Sequence, residues 1–320
     1  IILNDIDGFW RLVILVDTGG TFTDCLGLSP EKEWFRAKVL SRGSLVAEAV
    51  EQTDAQKLKI ADAADWPKEI VQGFALHIAG LERFSSKIID WDPFRNELTL
   101  EDVLPNGINF PMAIELSSGW EAPVLGMRLI LSRNCLDWKA MKTEMRLATT
   151  RCTNALLEGK GTRPVLFTTA GFADLLEIGD QRRTELFDLI PQKRNNLSGK
   201  VIEVSERVDR NGQILSSPDY KKIKGIASKL VADGCRVAVV SFLHASKNPE
   251  HEMKVGKILA NAGFIKVVVS SSINNFPKWL PRLESAVVEA YLSEVLDQYL
   301  DSVDDALGEQ SALWVMGSAG

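Results

Sequence analysis

Leu12-Val13-Ile14-Leu15-Val16 runs directly into Asp17-Thr18-Gly19-Gly20-Thr21-Phe22-Thr23-Asp24, and the reading of this stretch decides the fold. The apolar, β-branched run predicts a strand. It ends in a carboxylate, two glycines and threonine hydroxyls, the parts needed to hold a phosphate. Glycine permits φ > 0 and close backbone approach, so successive N–H groups can point at an anion. Thr21 and Thr23 add hydroxyls, and Asp17 at the strand end is placed to position a magnesium ion or its bound water. Cys25-Leu26-Gly27-Leu28 can return antiparallel, which makes the glycines a hairpin tip. An ordinary Gly-Gly hairpin that carries threonines accounts for the same residues.

Composition narrows the classes around that stretch. At 320 residues, one large or two medium domains are expected. With 45% hydrophobic and 25% charged residues, the chain reads as an ordinary soluble globular protein. A net charge of −6 and no basic cluster argue against a nucleic-acid partner. No apolar run reaches the roughly 20 residues of a membrane span, and no signal peptide is visible, so a cytoplasmic protein is expected. Cys25, Cys135, Cys152 and Cys235 are scattered singly, which suits reduced thiols. With three histidines in the chain, a multi-histidine metal site is not expected. The missing initial methionine and the strand-like Val315–Gly320 read as the ends of a fragment.

Patterning along the chain predicts an α/β protein. Trp34–Leu40 completes a β-meander with the opening strands. Apolar spacing at Leu45, Val46, Ala49 and Val50 predicts a helix over 43–57, and Ile70, Val71, Phe74 and Ile78 predict another within 60–80. Pro93, Pro105-Asn106-Gly107 and Ser117-Ser118-Gly119 punctuate short apolar runs, which predicts β-hairpins and loops, with helix returning at 121–132. Later, strands at 164–169, 236–243, 265–269 and 312–316 alternate with helices at 171–178, 223–231, 253–259 and 281–307, and Asn211-Gly212 marks a hairpin. Three segments result: 1–82 with the glycine hairpin and helices, a β-rich insertion at 83–132, and the remainder, 133–320.

Two further stretches carry polar chemistry. Thr149-Thr150-Arg151-Cys152-Thr153-Asn154 stands where a strand or loop meets a helix, so hydroxyls and free N–H groups there suit a carboxylate or phosphate. Helix capping by threonine and asparagine explains them equally. Gly179-Asp180-Gln181-Arg182-Arg183 offers guanidinium forks for a planar carboxylate; a solvated, salt-bridged loop is the plain alternative. Cys152 has no neighbouring histidine to activate it as a nucleophile.

Taken in order, Asp17–Asp24, Thr149–Gly161, Gly171-Phe172-Ala173-Asp174-Leu175-Leu176-Glu177-Ile178-Gly179 and Gln181-Arg182 resemble the hydantoinase/5-oxoprolinase family. The resemblance continues through Glu206-Arg207-Val208-Asp209, Ser241-Phe242-Leu243-His244, Asn248-Pro249, His251-Glu252 and Val288–Leu292. It covers most of residues 11–45 and 145–320; residues 83–125 look like an insertion found in some relatives.

The resemblance implies half of an actin-like ATPase fold, shared with sugar kinases and Hsp70, with a mixed sheet and flanking helices. It implies ATP and Mg²⁺ as cofactors, and phosphoryl activation of the carbonyl of a small cyclic amide such as 5-oxoproline or hydantoin. Such phosphoryl transfer needs positioning and charge neutralisation and no protein nucleophile. On this reading Gly19, Gly20, Thr21 and Thr23 cradle phosphate and Asp17 holds the metal. Thr150 and Asn154 line the cleft beside Thr149, and Arg182 clamps a substrate carboxylate. A subunit of an ATP-dependent acetone or acetophenone carboxylase, or a non-catalytic scaffold, are the alternatives. The implied partners are a missing C-terminal half and a hydantoinase B-type region, so the fragment is expected to bind ATP weakly and not to turn over.

Overall fold

The computed structural model describes residues 12–28, 33–61, 66–81, 84–134, 142–181, 196–308 and 311–317. The chain divides into two compact units, residues 1–154 with 298–320 and residues 155–297, and each is described by itself.

The first unit opens with β1 (Leu12–Thr18), β2 (Phe22–Leu28) and β3 (Trp34–Leu40). Along β1, Leu12, Ile14, Val16 and Thr18 are buried while Leu15 and Asp17 are exposed, the period of two of a half-buried strand. β1 pairs antiparallel with β2, and β2 with β3, as the meander requires.

The two early helices are not found. Residues 43–57 and 60–80 instead form β4 (Ser44–Asp54), β5 (Lys57–Ile60), the four-residue α1 (Lys68–Val71) and β6 (Ala75–Ile78). With β7 (Ser85–Asp92), β8 (Glu97–Leu100) and β9 (Met112–Ser117) they make a closed ring. β4 pairs with β5, β5 with β8, β8 with β7, β7 with β6, β6 with β9, and β9 returns to β4. Closure removes open strand edges from this ring, and Leu58, Leu76, Ile88, Trp91, Leu98 and Leu116 from its strands are fully buried. The helical spacing at 45–50 is a coincidence of four apolar residues: Val46 is 54% exposed, and the backbone pairs on one side with the next strand, β5, and on the other with β9, distant in sequence. The pattern at 70–78 breaks at Gly73, whose φ of +95° ends α1.

α2 (Ala122–Arg133) forms where a helix is expected. It lies very close to β2: a Cβ on Gly126 would stand 2.2 Å from Cys25 Sγ, and one on Gly27 would stand 2.9 Å from Ile130 Cγ2. β10 (Thr143–Thr149) then pairs parallel with β1, and α3 (Arg151–Leu157) follows directly.

The second unit contains β11 (Val165–Thr169), α4 (Leu175–Ile178), β12 (Val201–Val204) and a hairpin of β13 (Arg207–Val208) and β14 (Ile214–Ser216). Then come α5 (Tyr220–Ala232), β15 (Val237–Ser241), α6 (Glu250–Ala262), β16 (Lys266–Val269) and α7 (Ser270–Ile273). Its parallel sheet has the order β12-β11-β15-β16. One face packs Phe167 and Val240 with Ala227 of α5 and Val255 of α6; the other packs Leu166 and Val239 with Leu283 and Val287 of the long α8 (Trp279–Leu307). Burial on both faces is why β11 and β15 read as unbroken apolar runs. Residues 298–307 of α8 and β17 (Ala312–Val315) belong to the first unit, where β17 pairs parallel with β10. The architecture is α/β, with a large mixed sheet and flanking helices, as expected.

Candidate functional site

Ladder registry sets which side chains meet. Asp17 lies opposite Asp24 across β1–β2 and beside Ala148 across β1–β10; Thr18 lies opposite Thr23 and beside Thr149. Because neighbours in register share a face, the aspartates share the exposed face and the threonines the buried one.

Gly19, Gly20 and Thr21 form the tip between β1 and β2. The Gly19 N–H donates to Phe22 O at 3.0 Å and closes the turn. Neither glycine has a positive φ, so the left-handed conformation anticipated for them is not what they supply. They supply room: a Cβ on Gly19 would lie 3.2 Å from Phe22 O, and one on Gly20 would face Asn154 Nδ2 at 3.7 Å. Among the described residues, the N–H groups of Gly20 and Thr21 donate to no protein acceptor, and Thr21 is exposed.

A turn after β3 holds this tip. Ser41 Oγ donates to Gly19 O at 2.8 Å and lies 3.1 Å from Thr23 Oγ1, while Ser41 N–H donates to Thr21 O at 2.9 Å. Thr23 is fully buried, so its hydroxyl belongs to the support of the tip and not to its outer surface.

Thr150 and Asn154 are brought to the same place. Thr150 N–H and Oγ1 both donate to Thr18 O, at 2.9 and 3.1 Å, tying the end of β10 to the end of β1. Asn154 Nδ2 donates to Thr150 Oγ1 at 3.3 Å, which holds its amide over the bare side of Gly20. Thr149 Oγ1 accepts from Arg151 N–H at 3.1 Å, so the capping reading holds for that residue. Beneath, buried Tyr299 places its hydroxyl 3.4 Å from Thr18 Oγ1 and also bonds Thr149; burial pushes its phenol above the ordinary range. Neither Ser41 nor Tyr299 is marked in the sequence, since both are single polar residues in otherwise ordinary segments.

The two aspartates differ electrostatically. Asp24 pairs with Arg36 at 2.7 Å and Lys38 at 3.8 Å, and the Arg36 hydrogen bond holds its carboxyl below the usual range. Asp17 has no ion-pair partner among the described residues. Its carboxylate borders a groove of about 980 Å³ on the exposed sheet face, lined also by Leu15, Leu26, Arg146, Trp314 and Met316. None of Gly20, Thr21, Thr150 and Asn154 lines that groove; an unpaired carboxylate three residues ahead of free N–H donors and an exposed hydroxyl supplies the group types that suit a metal-bound polyphosphate.

Other candidates stand apart from this cluster in the sequence. Arg182 lies outside the described residues. In the second unit, Gly171 adopts φ of +90° and donates its N–H to Glu203 Oε1 at 2.6 Å, ahead of the short α4. His251 is buried with Nδ1 2.7 Å from Glu206 Oε2. Among the described residues no group of three or more histidine, cysteine, aspartate or glutamate side chains forms a metal site, and no helix is long and apolar enough to cross a membrane.

Comparison with known proteins agrees with the motif order. The sequence profile of the hydantoinase/oxoprolinase N-terminal region matches residues 109–263. 5-oxoprolinase 1 of Arabidopsis thaliana is 33% identical over 240 residues, covering 65% of this chain and 19% of that protein. Among solved structures, nucleotide-free acetone carboxylase superposes with a TM-score of 0.58 at 16% identity, over 95% of this chain and 35% of that one. ATP-dependent caprolactamase from Pseudomonas jessenii gives 0.53 at 18% identity, with the same coverages. The chain thus spans about a fifth of the length of the plant relative.

Proposed function

We propose that this chain, a relative of the hydantoinases and 5-oxoprolinases, forms one phosphate-binding jaw of an ATP-dependent cyclic-amide hydrolase. The observation that carries this reading is the meeting of two motifs remote in sequence: Thr150 on Thr18 O, and Asn154 over Gly20, whose N–H and that of Thr21 are free. Gly20 and Thr21 would donate N–H bonds to phosphate oxygens, and the missing Cβ of Gly20 lets an anion approach the backbone. Asp17 would hold the magnesium ion or its water, and Asn154 would orient the phosphate from the opposite side. ATP, when bound, supplies the phosphoryl group that activates the carbonyl oxygen of the ring amide. Among this chain's residues the work is positioning and charge neutralisation, consistent with a cluster that contains no nucleophile–base pair.

The cyclic-amide reading stands ahead of a ketone carboxylase on the extent of alignment: 5-oxoprolinase 1 aligns at 33% identity over 65% of this chain, and the acetophenone carboxylase gamma subunit of Aromatoleum aromaticum at 30% over 51%. ATP hydrolysis stimulated by 5-oxoproline, against hydrolysis stimulated by bicarbonate with a ketone, separates the two in a longer polypeptide carrying this region. For the chain itself, calorimetric titration with ATP and Mg²⁺ is expected to show weak binding that Asp17→Ala abolishes. Identical titrations for the two proteins would overturn the reading, and tight micromolar binding would show that a second jaw is not needed.

A further inference from the structure

The geometry points to Ser41 as a positioning residue that sets the anion affinity of the hairpin tip, an assignment that rests on the phosphate reading above. A two-glycine tip has no side chains to define its shape, and glycine carries the largest conformational entropy of any residue. Something outside the tip must therefore hold Gly20 and Thr21 so that their N–H groups converge.

Beyond the Gly19 N–H bond to Phe22 O that closes the turn, Ser41 contacts the tip on both of its sides. Its Oγ takes the carbonyl on the N-terminal side of the tip, Gly19 O at 2.8 Å, and its N–H takes the carbonyl on the other side, Thr21 O at 2.9 Å. The same Oγ meets the buried Thr23 hydroxyl at 3.1 Å. One residue thus fixes the Gly19–Gly20 and Thr21–Phe22 peptide planes, which bracket the Gly20–Thr21 peptide, and with Gly19 O turned toward Ser41 the Gly20 N–H points away from it, toward a ligand. The Ser41 turn is itself immobilised: Gly43 N–H donates to Leu40 O at 2.9 Å, and Ser118 Oγ donates to Gly43 O at 2.6 Å. Gly43, at φ of +76°, has no room for a side chain, since a Cβ would lie 1.8 Å from Trp120 O. Ser41 therefore links the tip to the turn that leads into the closed strand ring, alongside the β2–β3 ladder.

Ser41→Ala deletes the hydroxyl and keeps the backbone bond. Backbone ¹⁵N relaxation should show order parameters at Gly20 and Thr21 falling from about 0.85 to below about 0.6, with β1 and β2 unchanged. Titration with ATP and Mg²⁺ should weaken about tenfold, the scale of one positioned hydrogen bond, and Ser41→Thr should restore both readouts. Circular dichroism and thermal melting of each variant establish that the fold is intact. Unchanged order parameters, or unchanged ATP affinity in a protein whose parent binds ATP, would overturn the role of Ser41 alone. A parent chain that shows no ATP binding at millimolar concentration would remove the phosphate reading and this assignment with it, even if the tip loosens.

Discussion

The hairpin tip and the carboxyl edge of the second unit's sheet are both clusters of polar side chains at strand ends, yet they are built to opposite purposes. At the sheet edge, buried Glu252 accepts from Phe242 N–H at 2.7 Å, Ser270 Oγ at 2.7 Å and Ser271 N–H at 2.9 Å. Arg282, also buried, donates to Ser270 Oγ, Phe276 O and Phe242 O. Glu206 binds Thr169 Oγ1 and His251 Nδ1, and Thr169 Oγ1 accepts from Leu243 N–H at 3.0 Å. Most of the hydrogen-bonding capacity there is used within the protein and what is left, His251 Nε2 and Ser271 Oγ, is buried, so the cluster closes the strand ends. At the tip, support is equally dense on one side, but N–H groups, a hydroxyl and the Asp17 carboxylate are left open on the other. Unused capacity that is exposed, as at Asp17, Gly20 and Thr21, distinguishes the candidate site from the plug, whose unpartnered atoms are buried.

The contrast can be broken by substitution, beginning with the plug. Glu252→Ala leaves buried donors unpaired and is expected to cost about 3–5 kcal/mol in urea denaturation. A loss within about 0.5 kcal/mol would mean the edge is not a closed plug. Asp17→Ala, on an exposed face, is expected to change stability by less than about 0.5 kcal/mol while lowering ATP turnover about a hundredfold in a longer polypeptide containing this region. Large destabilisation without loss of turnover would reverse the assignment.

Gly20→Ala sharpens the comparison at the tip. The added Cβ meets Asn154 only at ordinary contact distance and needs no left-handed φ, so the fold should be neutral or more stable by up to about 1 kcal/mol. The same methyl occupies the approach of an anion, so ATP binding should weaken; an unchanged titration would argue that phosphate does not sit against Gly20.

The smallest effect is in pH dependence, and its sign differs between the regions. Asp24 has a depressed folded pKa, so its contribution is present above the unfolded value and is lost as pH falls through the folded one. Burial raises Glu252, so its ionisation disfavours the fold: stability from this group is greatest below its unfolded value and declines as pH rises toward the folded one. Urea midpoints measured against pH should therefore flatten in acid for Asp24→Asn. Glu252→Gln should remove an opposing slope; the same slope change in both would contradict the two environments.

Much of the second unit was legible because its signals are local. The runs at Val165–Thr169 and Val237–Ser241 are apolar since both faces are covered, and Asn211-Gly212 turns β13 into β14 with Asp209 accepting from Asn211 and Gln213 N–H groups. The first unit was harder. Residues 44–60 imitate helical spacing; β4 and β5 pair with each other locally, but the ladder from β4 to β9 lies outside any window of local sequence. Of the site, the tip and its meeting with Thr150 and Asn154 follow from motif order. Thr23, expected among the phosphate contacts, is buried, because β2's inward face is set by its register with β1 and β3.

By itself, the sequence determined that Leu12–Leu28 makes a strand, a glycine tip and a returning strand, because alternation and turn chemistry act between near neighbours. It also determined the α/β alternation and the family resemblance, which reside in residue order. Only the tertiary structure decided that six strands close into a ring and that Ser41 and Tyr299 brace the tip. It also decided which of the threonines and aspartates face outward. Those outcomes depend on hydrogen bonds and registers between segments far apart in the chain, where one polar side chain in place completes what the local sequence leaves open.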